Sequence, residues 1–174
     1  MTKKEGSWCE NEFGEINFSD SRLKKRFIST AELLLKQPQA PINQACEEGK
    51  AVKGAYRLFA NEKVSREEIV QTHSLKTIER CRKYERIFAI QDTTYLEYGG
   101  HKKTKGLGYL ASSNKKQGHL KGLIMHNTLA VGADGLSLGL LDQKVWARGI
   151  TDFDEVLEKE AESSKWFHAL ERTY

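Results

Sequence analysis

Cysteine is sparse and badly spaced for any shared role. Cys9, Cys46 and Cys81 are odd in number and far apart, with no C-x-x-C pair and no His-Cys cluster. A disulfide framework and a thiolate zinc site are therefore excluded, and free, partly buried thiols in a reducing compartment are expected. Long apolar runs are missing as well. No stretch of about 18 apolar residues exists, so no membrane-spanning helix is expected. The start, MTKKEGSWCENE, carries charge but no apolar h-region, which argues against a secretion signal. Together these absences lead to the expectation of a cytosolic protein with no membrane partner.

What is present is an ordinary globular composition, 39% apolar and 30% charged over 174 residues. That length can bury one core, or one small domain and part of another. The net charge of +4 is modest, but it is unevenly spread. Residues 1–86 carry 17 bases against 13 acids, and residues 87–149 carry 8 against 4. The acidic stretch 150–174, with 7 acids and 3 bases, offsets them. The basic character thus sits on the first two thirds of the chain.

One stretch organises the rest: RIFAIQDTTYLEY, Arg86 to Tyr98. Ile87, Phe88, Ala89 and Ile90 form a continuous apolar run, as in a strand covered on both faces. Asp92 follows after Gln91. A carboxylate in a strand held by the core needs compensation from a metal ion or a hydrogen-bonding shell. The alternative is an aspartate that caps a turn and meets water. Glu97, five residues on, falls on the opposite face of the same strand.

Before this strand the pattern is helical. Ser19 or Asp20 can cap a helix in which Leu23, Phe27, Ala31 and Leu34 form one apolar stripe, ended by Pro38. Arg22, Lys24, Lys25 and Arg26 crowd its first turns, where a helix end is already positive. A phosphate backbone would account for them, and so would a solvated basic face. Residues 41–61 read as two more helices, with Gly49 suited to the C′ position after the first. Val52, Ala55, Leu58 and Phe59 are apolar at helical spacing in the second. Ser65 and Glu68 have capping-box spacing and open a helix through Arg82, with Ile69, Val70, Leu75 and Ile78 as its apolar residues. His73 has no acids or thiols at ligand spacing and reads as structural.

After the strand, residues 99–121 hold six lysines and no acid, among glycines and serines, and read as a loop. Leu123 to Val131 and Leu136 to Trp146 then read as a hairpin around Gly132-Ala133-Asp134-Gly135. From Thr151 onward the chain reads as an acidic helix, with Trp166, Phe167 and Leu170 on its apolar side.

Several of these segments resemble bacterial cut-and-paste transposases of the DDE type, nearest to insertion-sequence transposases of the IS-four and Tn-five kind. The spacing W-x-x-x-x-F-G-x-x-x-F from Trp8, the run GAYRLFAN-x-x-VS from Gly54 to Ser65, and IQDTT-x-L-x-Y carry the likeness. So do His126, Trp146 and Arg148 on the hairpin, and the E-S-x-K-W stretch from Glu162 to Trp166. One departure is Leu23, which stands where well-known members carry one of two adjacent arginines.

The resemblance implies an α+β chain. An all-helical DNA-binding domain over 1–85 is followed by the first three antiparallel strands and first helix of an incomplete RNase H-like domain over 86–174. It implies that Asp92 is the first of three metal-binding acids, with Mg²⁺ as the ion, and that the second and third acids are not reached before the chain stops. DNA contacts are expected from Arg22, Lys24, Lys25, Arg26, Lys53, Tyr56 and Arg57. A further set is expected from Lys102, Lys103, Lys105, Lys115, Lys116 and Lys121. For Tyr56, packing beneath the helix pair is the competing reading. The expected partners are double-stranded DNA at transposon ends and a second transposase chain, in a bacterial cytoplasm and on the nucleoid when bound. The expected activity is DNA binding without cutting. The alternatives are a non-catalytic regulator of transposition and a gene remnant without function.

Overall fold

The structure, a computed structural model, describes residues 6–100, 103–111, 120–148, 169 and 171. The chain forms two compact units, Met1–Lys76 and Thr77–Tyr174. The described residues contain five helices and a four-stranded antiparallel sheet, an α+β chain. The expected acidic helix beyond Thr151, with Trp166 and Phe167, lies outside the described residues.

The first unit begins with a helix that sequence reading missed, α1 (Trp8–Phe13). Its signal was present as a capping box: Ser7 Oγ accepts from the Glu10 N–H, and the Glu10 carboxylate accepts from the Ser7 N–H. Helix α2 (Ser21–Lys36) starts where expected, with Asp20 as the cap accepting from the Arg22 N–H at 2.8 Å. Short α3 (Ile42–Ala45) and α4 (Gly49–Phe59) follow.

Gly49 is not the C′ residue of α3. Glu47 takes up the left-handed backbone instead, at φ 50°, and Gly49 opens α4. The turn is tight enough that the Cys46 cap and Glu47 close it before the glycine arrives.

The core joins Ile16 and Phe18 from the lead-in segment to Leu23 and Phe27 of α2 and Leu58 of α4. Phe27 meets Phe13 and Phe18 edge-on, with ring centroids 5.1 and 5.6 Å apart. Cys9 and Cys46 are buried free thiols. Burial pushes the Cys9 thiol up, and Glu32 and Glu12 add to the shift.

Helix α5 (Arg66–Cys81) runs across the division between the units. Ser65 caps it, accepting from the Glu68 N–H at 3.1 Å, while the Glu68 carboxylate is engaged elsewhere. It accepts from the Asn17 N–H at 3.0 Å and so ties the lead-in segment to α5. Leu75 and Ile78, expected on its apolar side, are exposed, while Thr72 and Thr77 are buried.

The second unit is organised by β3 (Leu120–Gly132), the central strand. One of its edges pairs with β1 (Ile87–Glu97) in a regular register from Ile87↔Gly132 to Glu97↔Gly122. Its other edge is shared by short β2 (Gly108–Ala111) and by β4 (Ser137–Trp146). The sheet therefore has four strands rather than three, and the lysine-rich stretch is not a loop throughout, because β2 lies within it. The Gly132–Gly135 turn is as expected: the Asp134 carboxylate accepts from the Leu136 N–H, and Gly135 sits at φ 83°.

β3 buries every even-numbered residue from Gly122 to Gly132. Ile124, His126, Thr128 and Ala130 line this packed face. The reading of β1 as a strand covered on both faces does not hold. Phe88 and Ile90 are each about half exposed, at 54% and 51%. An unbroken apolar run cannot by itself distinguish a central strand from one with a single neighbour, and among the described residues β1 pairs with β3 alone.

Candidate nucleic-acid interface

Asp20 caps α2, so α2 runs with a fixed phase and Leu23 and Phe27 face the core. Arg26, Thr30 and Leu33, at i, i+4 and i+7, form a neighbouring stripe. On α4, Ala55 and Leu58 are buried, which fixes the phase of that helix too. Lys50, Lys53, Gly54 and Arg57, at i, i+3, i+4 and i+7, then fall on one side of it. The two stripes enclose a groove of about 400 Å³, with Ala51 in its wall and Glu48 at one end.

The groove carries four cations, Arg26, Lys50, Lys53 and Arg57, against one carboxylate, Glu48. Among the described residues none of the four forms an ion pair. Lys50 and Arg57 are about 10 Å apart along the helix axis. Four like charges lining one groove repel one another, and an anion laid along it removes that repulsion. The groove can thus hold a polyanion through several neutralised phosphates, with counterion release as the driving force.

Three of the expected DNA contacts, Arg26, Lys53 and Arg57, meet in this groove. Lys50 was missed, although its signal was legible: it stands three residues before Lys53 and seven before Arg57 on the same helical side. Tyr56 lies outside the groove. It is 54% exposed, three residues from Lys53 on the outer side of α4, so the reading that packs it beneath the helices is overturned. Arg22 is not brought to the groove. Its guanidinium grips its own cap residue, with Nε 3.2 Å from Asp20 Oδ1 and a second nitrogen 3.0 Å from Oδ2. That hydrogen bonding holds the Asp20 carboxyl below the usual carboxylate range. Lys24 and Lys25 are on α2 but do not line the groove.

Asp92 is exposed in mid-strand, paired in register with Asn127. The expectation of a carboxylate needing burial compensation therefore does not hold. Thr94 donates weakly to Asp92 Oδ2 at 3.4 Å, and Asn127 Oδ1 already accepts from Gln143 at 2.9 Å. Glu97 is on the opposite face, as the unbroken register requires. Among the described residues no three His, Cys, Asp or Glu side chains are grouped to hold a metal ion. One carboxylate with neutral neighbours is not a fit for bound Mg²⁺, which takes charged oxygen ligands in strict geometry.

Of the lysine-rich stretch, Lys103 and Lys105 are exposed. Lys121 is exposed on β3, its ammonium 5.9 Å from the Tyr109 ring centroid. Lys121 shares a sheet face with Asp92, about 20 Å further along by strand rise. Lys102, Lys115 and Lys116 lie outside the described residues.

His126, by contrast, is almost wholly buried. Its Nδ1 is 2.8 Å from Thr93 Oγ1 and its Nε2 is 3.3 Å from Gln91 Oε1. Both ring nitrogens thus meet polar side chains of β1, Nδ1 the Thr93 hydroxyl and Nε2 the Gln91 amide. The ring is a structural cross-brace between β1 and β3.

Residues 5–64 match a family model described as transposase DNA-binding. The matched segment contains both walls of the groove and ends at Val64, before α5 begins. No helix among the described residues is long and apolar enough to cross a membrane.

Proposed function

We infer that this chain binds double-stranded DNA as part of a cut-and-paste transposase of the DDE type, seating the phosphate backbone of a transposon end in the α2–α4 groove. The observation that carries this reading is the set of four cations, Arg26, Lys50, Lys53 and Arg57, without an ion pair among the described residues, inside a segment similar to transposase DNA-binding domains. Tyr56 supplies an exposed ring beside Lys53 for the sugar or base edges. The second unit is read as the opening strands of an RNase H-like domain, with Asp92 as the first acid and Lys103, Lys105 and Lys121 as backbone contacts.

With Asp92 as the one acid of that kind among the described residues, the chain on its own binds without cutting. Binding follows from Coulombic neutralisation and needs no metal. Cleavage would need further carboxylates converging beside Asp92, because one carboxylate with neutral neighbours does not fit Mg²⁺.

The test is fluorescence anisotropy on a labelled transposon-end duplex and a scrambled duplex at several salt concentrations. Binding that weakens steeply with salt, and weakens again in Lys53→Ala and Arg57→Ala, supports the reading. Binding insensitive to both substitutions refutes it. Mg²⁺-dependent nicking by the isolated chain refutes the second half alone.

That no three such side chains are grouped around Asp92 among the described residues also fits a second reading, a regulator that occupies transposon ends or pairs with an active transposase chain. Inhibition of a transposition assay by added chain separates the two.

A further inference from the structure

Gly54 is the middle residue of α4, in right-handed helical backbone. Glycine is a poor choice there, because it gives up more backbone freedom on folding than alanine and lacks any side chain to pack. Three ordinary reasons for a helical glycine can be checked. The backbone does not need positive φ, since Gly54 is not among the positive-φ residues. No neighbouring element crowds it, since a Cβ built on Gly54 meets nothing within 4 Å. Nor is it at a helix end, where glycine caps, since five residues of α4 lie on either side.

The contrast within the same chain is sharp. A Cβ on Gly122 would strike the Leu96 carbonyl, and one on Gly132 would strike the Tyr84 ring at 2.6 Å. Those two glycines are required by packing. Among the described residues nothing in the free protein requires Gly54.

What surrounds Gly54 is the groove. Lys50, Lys53 and Arg57 flank it on α4, and Arg26 faces from α2. We propose that Gly54 is the seat of the DNA backbone: a duplex sugar-phosphate passes against its bare Cα, held by the four flanking cations, and any side chain at this position holds the strand off. This rests on the groove reading above and adds a residue that no charge count identifies. A strand kept farther out loses part of its interaction with all four cations at once, because each Coulombic contact weakens with distance.

The experiment pairs a stability readout with a binding readout on the full chain. Gly54→Ala, Gly54→Leu, Gly49→Ala and the double variant Lys53→Ala/Arg57→Ala are compared with the parent. Thermal unfolding is followed by helical circular dichroism, and affinity is measured on a labelled mixed-sequence duplex. Gly54→Ala is expected to raise Tm by about 4 °C, through better helix propensity in open space. It is also expected to weaken binding about tenfold, with Gly54→Leu weaker still. Gly49→Ala, whose added Cβ also meets nothing but which does not line the groove, binds as the parent does.

Parent-like affinity in both Gly54 variants, alongside weakened binding in the double variant, overturns the seat and leaves the groove standing. Parent-like affinity in the double variant overturns the groove reading itself. A fall in Tm for Gly54→Ala overturns the premise that the position is open.

Discussion

The Glu12 carboxylate meets His73 Nδ1 at 2.6 Å, with Glu12 almost entirely buried and His73 only about one-fifth exposed. The pair links α1 to α5 inside the first unit, and the His73 ring also stacks on Phe13, with centroids 6.3 Å apart. The hydrogen bond in this pair is what makes a buried carboxylate tolerable here. Glu12→Ala leaves the imidazole nitrogen facing a cavity. The expected cost is about 2–3 kcal/mol, read as a lower midpoint in urea unfolding with an unchanged slope.

The cap of α2 carries a pH dependence. Hydrogen bonds from the Arg22 side chain, then from its backbone N–H, lower the Asp20 pKa. A depressed folded-state value means that the stabilisation is complete above the ordinary carboxylate value of about 3.9. It is lost as pH falls through the lower folded value. NMR titration of the Asp20 carboxyl should give a midpoint below the ordinary one, and Arg22→Ala should move it back up. An Asp20 midpoint unaffected by Arg22→Ala would contradict the assignment of cause.

Salt dependence measures how many groove cations meet phosphate. Four neutralised phosphates give a slope of about −3.6 in log K against log salt, and removal of Lys50, Lys53 or Arg57 should reduce it by about 0.9 each. Arg22→Ala should leave it nearly unchanged, because that guanidinium is held by Asp20.

Two threonines on the packed face of the sheet should respond oppositely to the same change. Thr93 shares a hydrogen bond with His126 Nδ1, so Thr93→Val removes it and should destabilise the second unit by about 1–2 kcal/mol. Thr128 Oγ1 is fully buried and has no hydrogen-bond partner among the described residues. Thr128→Val keeps the shape and removes an unsatisfied hydroxyl, and should be neutral or stabilising by about 1 kcal/mol. Guanidinium unfolding followed by sheet circular dichroism tests both, and equal destabilisation by the two substitutions would show that Thr128 has a partner.

Gly122 gives the steric counterpart. Gly122→Ala drives a methyl into the Leu96 carbonyl where β1 pairs with β3, and the strands must part to admit it. A loss of about 1–3 kcal/mol is expected. An unchanged unfolding midpoint would mean that the pairing at this end of β1 is loose.

Part of the local chemistry was legible in the residues. The Asp20 cap, the inward Ala55 and Leu58 of α4 (though not Phe59, which is exposed), the Asp-Gly turn and the opposition of Asp92 and Glu97 each depend on spacing within one element, which the helical or strand period fixes. The seven-residue span from Lys50 to Arg57 carried the groove's charge in the same way, and GAYRLFAN carried the likeness to transposase DNA binding. Other features belong to no single element. That Arg26 faces those lysines across a groove, that Arg22 does not, and that β1 leaves Phe88 and Ile90 half exposed all depend on which surfaces meet. An apolar run or a basic turn reads the same in sequence whichever neighbour it finds, so only tertiary packing could decide which of these charges converge and which side of a strand stays open to water.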